Sequence, residues 1–147
     1  VAVGYGGGLP QVAGALTAAA RATAINRLVV LALDGKATLP VVVPPPRVLA
    51  PPPATAAPQQ VAAGKGLYER RCYHCHGGAV ISGGEVADLR YSALLRDARA
   101  FAAVVHAGAM ADRGMPAFAT LSAEDLEAIR AYVIARANAD ARTAGMH

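Results

Sequence analysis

Length, composition and charge exclude several kinds of protein. The 147 residues have room for one ordinary domain, or for one small domain with an appendage. Although 54% of the residues are hydrophobic, 36 are Ala and only 5% are aromatic, so the side chains alone build a modest core. The net charge of +4 divides into +3 over residues 1–60 and +1 over residues 61–147, which excludes a basic nucleic-acid-binding patch.

The first 43 residues are expected to contain a few β-strands. Residues 26–33 form an apolar run rich in β-branched side chains, and it ends at the turn signal Asp34-Gly35. Two or three strands in some 40 residues cannot bury both of their faces. We therefore expect them to belong to a larger sheet, and the natural N-terminus to lie upstream of Val1. The apolar run of residues 28–33 is too short to span a membrane, so no transmembrane segment is expected.

A Pro-rich linker is predicted over residues 44–60. Residues 44–58 hold seven of the ten prolines, a composition that favours extended polyproline structure reaching about 3 Å per residue. The linker separates the strands of residues 1–43 from a helical domain over residues 61–147.

The pattern becomes helical at Val61. One face of the first helix is predicted to carry residues spaced by three or four: Val61, Gly64, Tyr68, Cys72 and Cys75. Residues 77–90 have the composition of a loop. Ser92 can cap a short helix, residues 97–107 form another, and Gly108 is a suitable stop.

The last helix has a clear start and an amphipathic pattern. Ser122 is the predicted cap, acidic residues fill the first turn, and Leu121 can pack against Leu126. The helix is expected to end near Ala139 and to bury Leu126, Ile129, Tyr132 and Val133. The remaining residues are expected to fray.

Residues 72–76 carry the strongest chemical signal of the chain. Cys72, Cys75 and His76 form the pattern C-x-x-C-H, which is typical of covalent attachment of a c-type haem. Each thiol can add to one vinyl group of the haem, and the imidazole of His76 can bind the iron. The sequence therefore predicts covalent haem c, with Cys72 and Cys75 as its thioether residues and His76 as an axial ligand.

Two other interpretations of the cysteine pair are weaker. A redox-active dithiol is expected within a βαβ pattern, which the sequence does not show. A zinc site needs further ligands, and the only spare candidates are His74, His106 and His147.

Met115 is the best candidate for the second axial ligand of the iron. It lies in the loop before the last helix, where Pro116 stiffens the chain and Gly114 allows a close approach to the haem. His106 and Met110 are the alternatives. A His/Met pair raises the reduction potential and fills both axial positions. This favours electron transfer without a catalytic residue; a haem enzyme of peroxidase type would require an open position instead.

Residues 61–141 resemble the small class I cytochrome c fold. Beyond the haem motif and Met115, the residues at the family's helix crossing are recognisable: Gly64, Tyr68, Ile129 and Tyr132. The family often uses a proline carbonyl to orient the haem-binding histidine, but residues 77–90 contain no Pro. The partner of the second His76 nitrogen is therefore left open.

A narrower resemblance covers nearly the whole chain. Residues 81–92 are similar to the segment after the haem motif in quinohaemoprotein alcohol dehydrogenases, and residues 27–40 resemble the closing strands of their β-propeller. The resemblance implies a periplasmic enzyme whose upstream domain holds pyrroloquinoline quinone (PQQ) and a calcium or lanthanide ion. Electrons would pass from that domain to the haem and on to an external acceptor, a redox protein or a quinone.

Two hypotheses follow. In the first, the chain is the electron-transfer part of such a dehydrogenase, without its active site, since no residue matches the quinone, metal or catalytic-base motifs. In the second, the chain is an independent soluble cytochrome that carries electrons between partners. The second needs only residues 61–147 and leaves residues 26–40 unexplained.

Overall fold

The computed structural model describes residues 47–82 and 86–144, with short pieces at residues 2–3, 27–28, 33–36 and 38. Two strands of two residues each, β1 (Ala2–Val3) and β2 (Arg27–Leu28), pair in antiparallel fashion. Leu33 and Asp34 form a turn, next to the turn predicted from the sequence. The rest of the predicted strands lies outside the described residues.

Helices make up most of the described chain, so the predicted mainly α fold is confirmed. The described residues form four α-helices: α1 (Pro58–Arg71), α2 (Tyr73–His76), α3 (Ala98–Val105) and α4 (Ala123–Ala144). Single 3₁₀ turns lie between them at Gly78–Val80, Leu89–Tyr91, Ala93–Arg96 and Ala111–Arg113. No helix in the described part of the chain is both long and apolar enough to cross a membrane.

Helix α1 begins at Pro58, three residues before the start predicted at Val61. Proline is tolerated in the first turn of a helix, because the N–H that it lacks has no partner within the helix there. The sequence prediction placed Pro58 in the Pro-rich linker and therefore missed this helix start. Gly64 and Tyr68 are the buried residues of α1, as the predicted face requires.

The crossing of α1 and α4 is the main helix–helix contact of the domain. At Gly64 the backbones come so close that a Cβ atom would lie 1.9 Å from the carbonyl oxygen of Ala128. One turn further along α1, the rings of Tyr68 and Tyr132 pack with their centroids 5.4 Å apart. Ile129, the residue after Ala128 on α4, is 1% exposed and belongs to the same core cluster. The helix-crossing residues predicted from the sequence are therefore confirmed.

Helix α4 starts with the predicted cap. The hydroxyl oxygen of Ser122 accepts a hydrogen bond from the Asp125 backbone N–H at 3.1 Å, and the Asp125 carboxylate accepts one from the Ser122 N–H at 3.0 Å. The helix continues to Ala144, so the predicted end near Ala139 is wrong. Its buried residues include the four that were predicted, and the full set is Leu126, Ala128, Ile129, Ala131, Tyr132, Val133, Ile134 and Ala137.

The shorter elements begin at or next to the expected residues. Ser92 caps the 3₁₀ turn Ala93–Arg96, and the Asp97 carboxylate caps α3 by accepting from the N–H groups of Arg99 and Ala100. After α3, Gly108 has a φ angle of 72°, a conformation that favours glycine. Helix α3 nevertheless ends at Val105, two residues before the predicted end at Ala107, and His106 is its C-cap, so the helix stops before it reaches Gly108.

The second half of the Pro-rich segment lies against the helical domain. The Arg47 guanidinium stacks 4.0 Å from the ring centroid of Tyr91. Arg96 donates to the carbonyl of Ala50 at 2.5 Å, and Asn138 of α4 donates to the carbonyl of Pro52 at 2.8 Å. Residues 47–57, expected to act as a spacer, are therefore held on the surface of the domain they precede.

Candidate haem-binding site

The C-x-x-C-H motif lies where α1 gives way to α2. Cys72 ends α1, and its N–H donates to the Tyr68 carbonyl at 2.8 Å. Its own carbonyl accepts from the N–H groups of Cys75 and His76, which closes a new turn of helix. Both cysteines are free thiols; Cys72 is partly buried and Cys75 is exposed. Burial, and secondarily the neighbouring Cys75, raises the pKa of Cys72 to about 11, so the sulfur remains a protonated thiol at neutral pH.

His76 is the buried residue of the motif, at 7% exposure. Its Nδ1 lies 2.9 Å from the carbonyl oxygen of Ala87. A carbonyl only accepts, so Nδ1 carries the proton and Nε2 keeps its lone pair. Burial lowers the pKa of His76, although the bond to Ala87 acts in the opposite direction. The result is a neutral imidazole with a fixed ring orientation, which is the form that binds a metal.

Ala87 thus fills the place that the sequence left open. The carbonyl that partners His76 does not require a proline, because any residue of the chain supplies a backbone oxygen. No side-chain pattern in residues 77–90 could have identified Ala87, since the choice depends on the path of the loop.

Tyr68 ties α1 to the segment after the motif. Its side chain is completely buried, and its hydroxyl donates to the carbonyl of Gly77 at 2.7 Å. Desolvation raises the pKa of Tyr68 far above its ordinary value, so this hydroxyl stays a donor. Tyr68, a residue of the α1–α4 crossing, therefore fixes the position of Gly77, which directly follows His76.

The backbone after the motif is strained. Gly77, Ala79 and Val80 have φ angles of 82°, 52° and 67°. Positive φ is costly for a β-branched residue, yet the Val80 side chain is completely buried in the core. Burial of Val80 offsets the strain and holds this tight path against the motif.

The loop with Met115 is stabilised by backbone hydrogen bonds. The carbonyl of Met110 accepts from the Met115 N–H at 3.2 Å, and the Phe118 N–H donates to Val105 at 2.8 Å. Gly114 has a φ angle of 88°, which favours glycine at this position. The Met115 side chain packs against the core while part of its surface stays accessible.

His106 has a role at the end of α3. Its Nδ1 donates to the carbonyl of Leu121 at 3.2 Å, which joins the end of α3 to the residue before the cap of α4. This contact agrees with a helix-end histidine. Within the described residues, no group of three or more His, Cys, Asp or Glu side chains could hold a metal ion.

The chemistry of these residues fits a covalently attached haem. Two free thiols stand three residues apart, and a neutral imidazole follows whose Nε2 keeps its lone pair. Several apolar side chains pack against the core yet keep accessible surface that a haem could cover: Cys72, Tyr73, Leu89, Leu94, Met115 and Phe118.

Comparison with known proteins defines the class. A family model described as cytochrome c oxidase, cbb3-type, subunit III matches residues 59–133, just over half of the chain. The chain therefore belongs to this family of cytochrome c domains, which carry covalent haem c and transfer electrons. The matched range runs from the first turn of α1 into α4 and includes the haem motif and Met115.

The chain is similar, more particularly, to the C-terminal cytochrome part of quinohaemoprotein alcohol dehydrogenases. It is 42% identical to alcohol dehydrogenase ADH IIB of Pseudomonas putida over 76% of this chain and 16% of the relative. Against the dehydrogenase subunit of the alcohol dehydrogenase (quinone) of Gluconobacter oxydans, identity is 35% over 94% of this chain and 18% of the relative. The solved structure of ADHIIG from Pseudomonas putida superposes with a TM-score of 0.73 at 31% identity. That match covers 93% of this chain and 20% of the other, so the chain spans a fifth or less of these relatives.

Proposed function

We propose that this chain is the electron-exit domain of a PQQ-dependent alcohol dehydrogenase. It accepts electrons one at a time from a PQQ-containing propeller domain and passes them to an external acceptor. The observation that carries the proposal is the fixed, neutral imidazole of His76 beside two free thiols, in a chain whose relatives are quinone-dependent alcohol dehydrogenases.

Cys72 and Cys75 hold the cofactor in this proposal. Each S–H adds across one vinyl group, so that sulfur bonds to one carbon and the hydrogen goes to the other. His76 binds the iron through Nε2, because Nδ1 is committed to Ala87. Haem c bound in this way supplies an iron that takes up and releases one electron.

Met115 is the proposed second axial ligand. Backbone hydrogen bonds at Met110 and Phe118 already order the loop that carries Met115. Binding of its sulfur to the iron would therefore cost little further backbone entropy. A thioether sulfur favours the ferrous state and raises the potential. With His76 and Met115 both bound to the iron, no position would be left for oxygen or peroxide.

The remaining parts of the proposal concern the whole enzyme. Residues 1–43 are the terminal strands of the propeller, and PQQ with its calcium or lanthanide ion lies in the upstream domain. The paired strands β1 and β2 are compatible with this assignment. The proposed location is the periplasm, as the family resemblance implies.

The iron ligands are tested with the haem-loaded chain. Met115→Ala should abolish the absorption band of ferric iron bound to methionine sulfur, whereas Met110→Ala should leave the band in place. An unchanged spectrum in Met115→Ala, or loss of the band in Met110→Ala alone, would contradict the assignment.

The donor is tested separately, on the gene. The sequence upstream of the Val1 codon should continue in frame into a propeller with PQQ-binding residues. A start codon directly before Val1 would refute the donor and favour an independent electron carrier. The haem ligands would be unaffected by that result.

A further inference from the structure

Arg90 lies between two carboxylates from distant parts of the chain. Its guanidinium donates to both oxygens of Asp88, at 3.0 and 2.7 Å, and to Asp140 of α4 at 3.0 Å. The side chains are 13% exposed for Arg90, 12% for Asp88 and 22% for Asp140. By contrast, the pair Lys65–Glu69 on α1 is 3.7 Å long and more than half exposed, a geometry that contributes little. The Arg90 cluster is thus a partly buried, well-oriented ion-pair network.

Asp140 extends the network to the other end of the segment after the haem motif. Its second oxygen accepts from Arg136 at 2.8 Å, and Arg136 also donates to the carbonyl of Ala79 at 3.4 Å. Helix α4 therefore holds the segment at two points, near Ala79 through Arg136 and near Asp88 through Arg90.

The network adjoins the hydrogen bond that orients His76. The carbonyl of Ala87, which accepts from His76 Nδ1, belongs to the same planar peptide as the nitrogen of Asp88. Because Arg90 binds both oxygens of the Asp88 carboxylate, the Asp88 side chain is held in one position, and rotation of the peptide between Ala87 and Asp88 is restricted. The Arg90 backbone N–H also donates to Asp88, at 3.1 Å, which tightens the same turn.

The protonated, positively charged form of Arg90 is stabilised by its surroundings. Burial disfavours the guanidinium cation, but hydrogen bonding and attraction to Asp88, followed by Asp140, outweigh it and raise the pKa of Arg90 above its ordinary value. Three carboxylate contacts on one planar fork fix its orientation as well as its charge.

We propose that Arg90 is a positioning residue that, through Asp88 and Asp140, holds the Ala87 carbonyl against His76. In this way it lowers the reduction potential of the iron that His76 binds. The inference rests on the proposed function in taking His76 as an iron ligand. A hydrogen bond from Nδ1 to a well-placed carbonyl makes the imidazole a stronger donor at Nε2, which favours the ferric state. Loosening that carbonyl should therefore raise the reduction potential.

The test uses the haem-loaded chain and the variant Arg90→Gln. Loss of an outer-shell partner of a metal ligand typically costs 10- to 100-fold in metal affinity or activity. Because Arg90 acts through Asp88 on that partner, we expect an effect no larger than the lower end of this range. At a fixed applied potential, the ratio of ferrous to ferric protein should rise about tenfold, equivalent to about +59 mV for one electron. The proton resonances of the His76 ring in the ferric protein should shift with it.

Arg130→Gln is the matched control. Arg130 also forms a two-pronged ion pair, with Glu127 at 2.6 and 2.7 Å, and donates to the carbonyl of Leu95 at 2.6 Å. It therefore reports the cost of losing an ion pair elsewhere in the domain. Both variants should lower the melting temperature, but only Arg90→Gln should shift the potential and the His76 resonances. Equal behaviour of the two variants would overturn the proposal.

Two further variants keep the proposal falsifiable. Arg90→Lys retains the charge but not the fork, so a wild-type potential in this variant would overturn positioning in favour of simple charge. If Arg90→Gln does not fold, Asp140→Asn removes the charge that binds Arg90 and Arg136 but leaves the pair of Arg90 with Asp88. It should give a smaller shift of the same sign; no shift would refute the network. Failure of the proposed function itself would appear elsewhere, as an unchanged iron spectrum in His76→Ala.

Discussion

The α1–α4 crossing and the described residues of the segment after the haem motif, 77–82 and 86–92, obtain their shapes in different ways. At the crossing, backbone lies against backbone at Gly64, and apolar side chains fill the rest. In residues 77–82 and 86–92, single polar side chains bind individual carbonyls and carboxylates: Tyr68 binds Gly77, His76 binds Ala87, and Arg90 binds Asp88 and Asp140 of α4. The crossing requires a residue without a side chain at position 64, whereas the segment depends on several separate polar contacts. Substitutions should therefore damage the two regions in distinguishable ways.

The largest effect is expected at the crossing, from Gly64→Ala. The added Cβ would lie 1.9 Å from the Ala128 oxygen, so the helices must move apart along much of their contact. We expect the free energy of unfolding to fall by about 3 kcal/mol or more. Denaturant titration of the haem-loaded chain measures it.

Gly66→Ala is the matched control on the same helix. A Cβ there meets only the flexible end of Arg70, at 3.2 Å, and alanine is the better helix former by up to about 1 kcal/mol. This variant should be neutral or slightly stabilised. Equal losses at the two glycines would mean that close approach is not what position 64 requires.

An intermediate effect is expected where the two regions meet, from Tyr68→Phe. The ring and its contact with Tyr132 are retained, but the buried carbonyl of Gly77 loses its donor, at a cost of about 1–3 kcal/mol. Urea unfolding measures the loss, and hydrogen exchange at residues 77–80 should quicken.

Tyr132→Phe is the control for this prediction, because it keeps the same ring pair and leaves the bond to Gly77 intact. Its effect on exchange at residues 77–80 should be the smaller of the two. If Tyr132→Phe loosens that segment as much as Tyr68→Phe does, the hydroxyl of Tyr68 is not what fixes it.

The same division explains how far the sequence could be interpreted. Gly64, Tyr68, Ile129 and Tyr132 were predictable because helical periodicity places them on facing surfaces and only a small residue permits a close crossing. Caps at Ser92 and Ser122 were predictable because their bonding partners lie two or three residues away. These are local rules.

The remaining features depend on contacts between distant residues. The partner of His76 is a backbone oxygen 11 residues away, and Arg90 meets Asp140 across 50 residues. Neither contact leaves a periodic signal in the sequence. The start of α1 at Pro58 was missed for another reason, since proline indicates both an extended linker and the first turn of a helix.

The smallest effect is expected at the cap of α4, where the loop that follows α3 enters the crossing helix. Hydrogen bonds from the Ser122 backbone N–H and then its hydroxyl lower the pKa of Asp125 below its ordinary value of 3.8. Because the folded pKa is the lower one, the stabilisation is present above pH 3.8 and is lost as the pH falls through the folded value. Asp125→Asn should therefore lower the melting temperature slightly near neutral pH, and the difference from wild type should shrink in acid.

Glu124→Gln, which removes a charge from the same helical turn, is the control and should show a smaller difference with less dependence on pH. A deficit in Asp125→Asn that stays constant from neutral pH down to full protonation would show that the ionised carboxylate is not what stabilises this helix start.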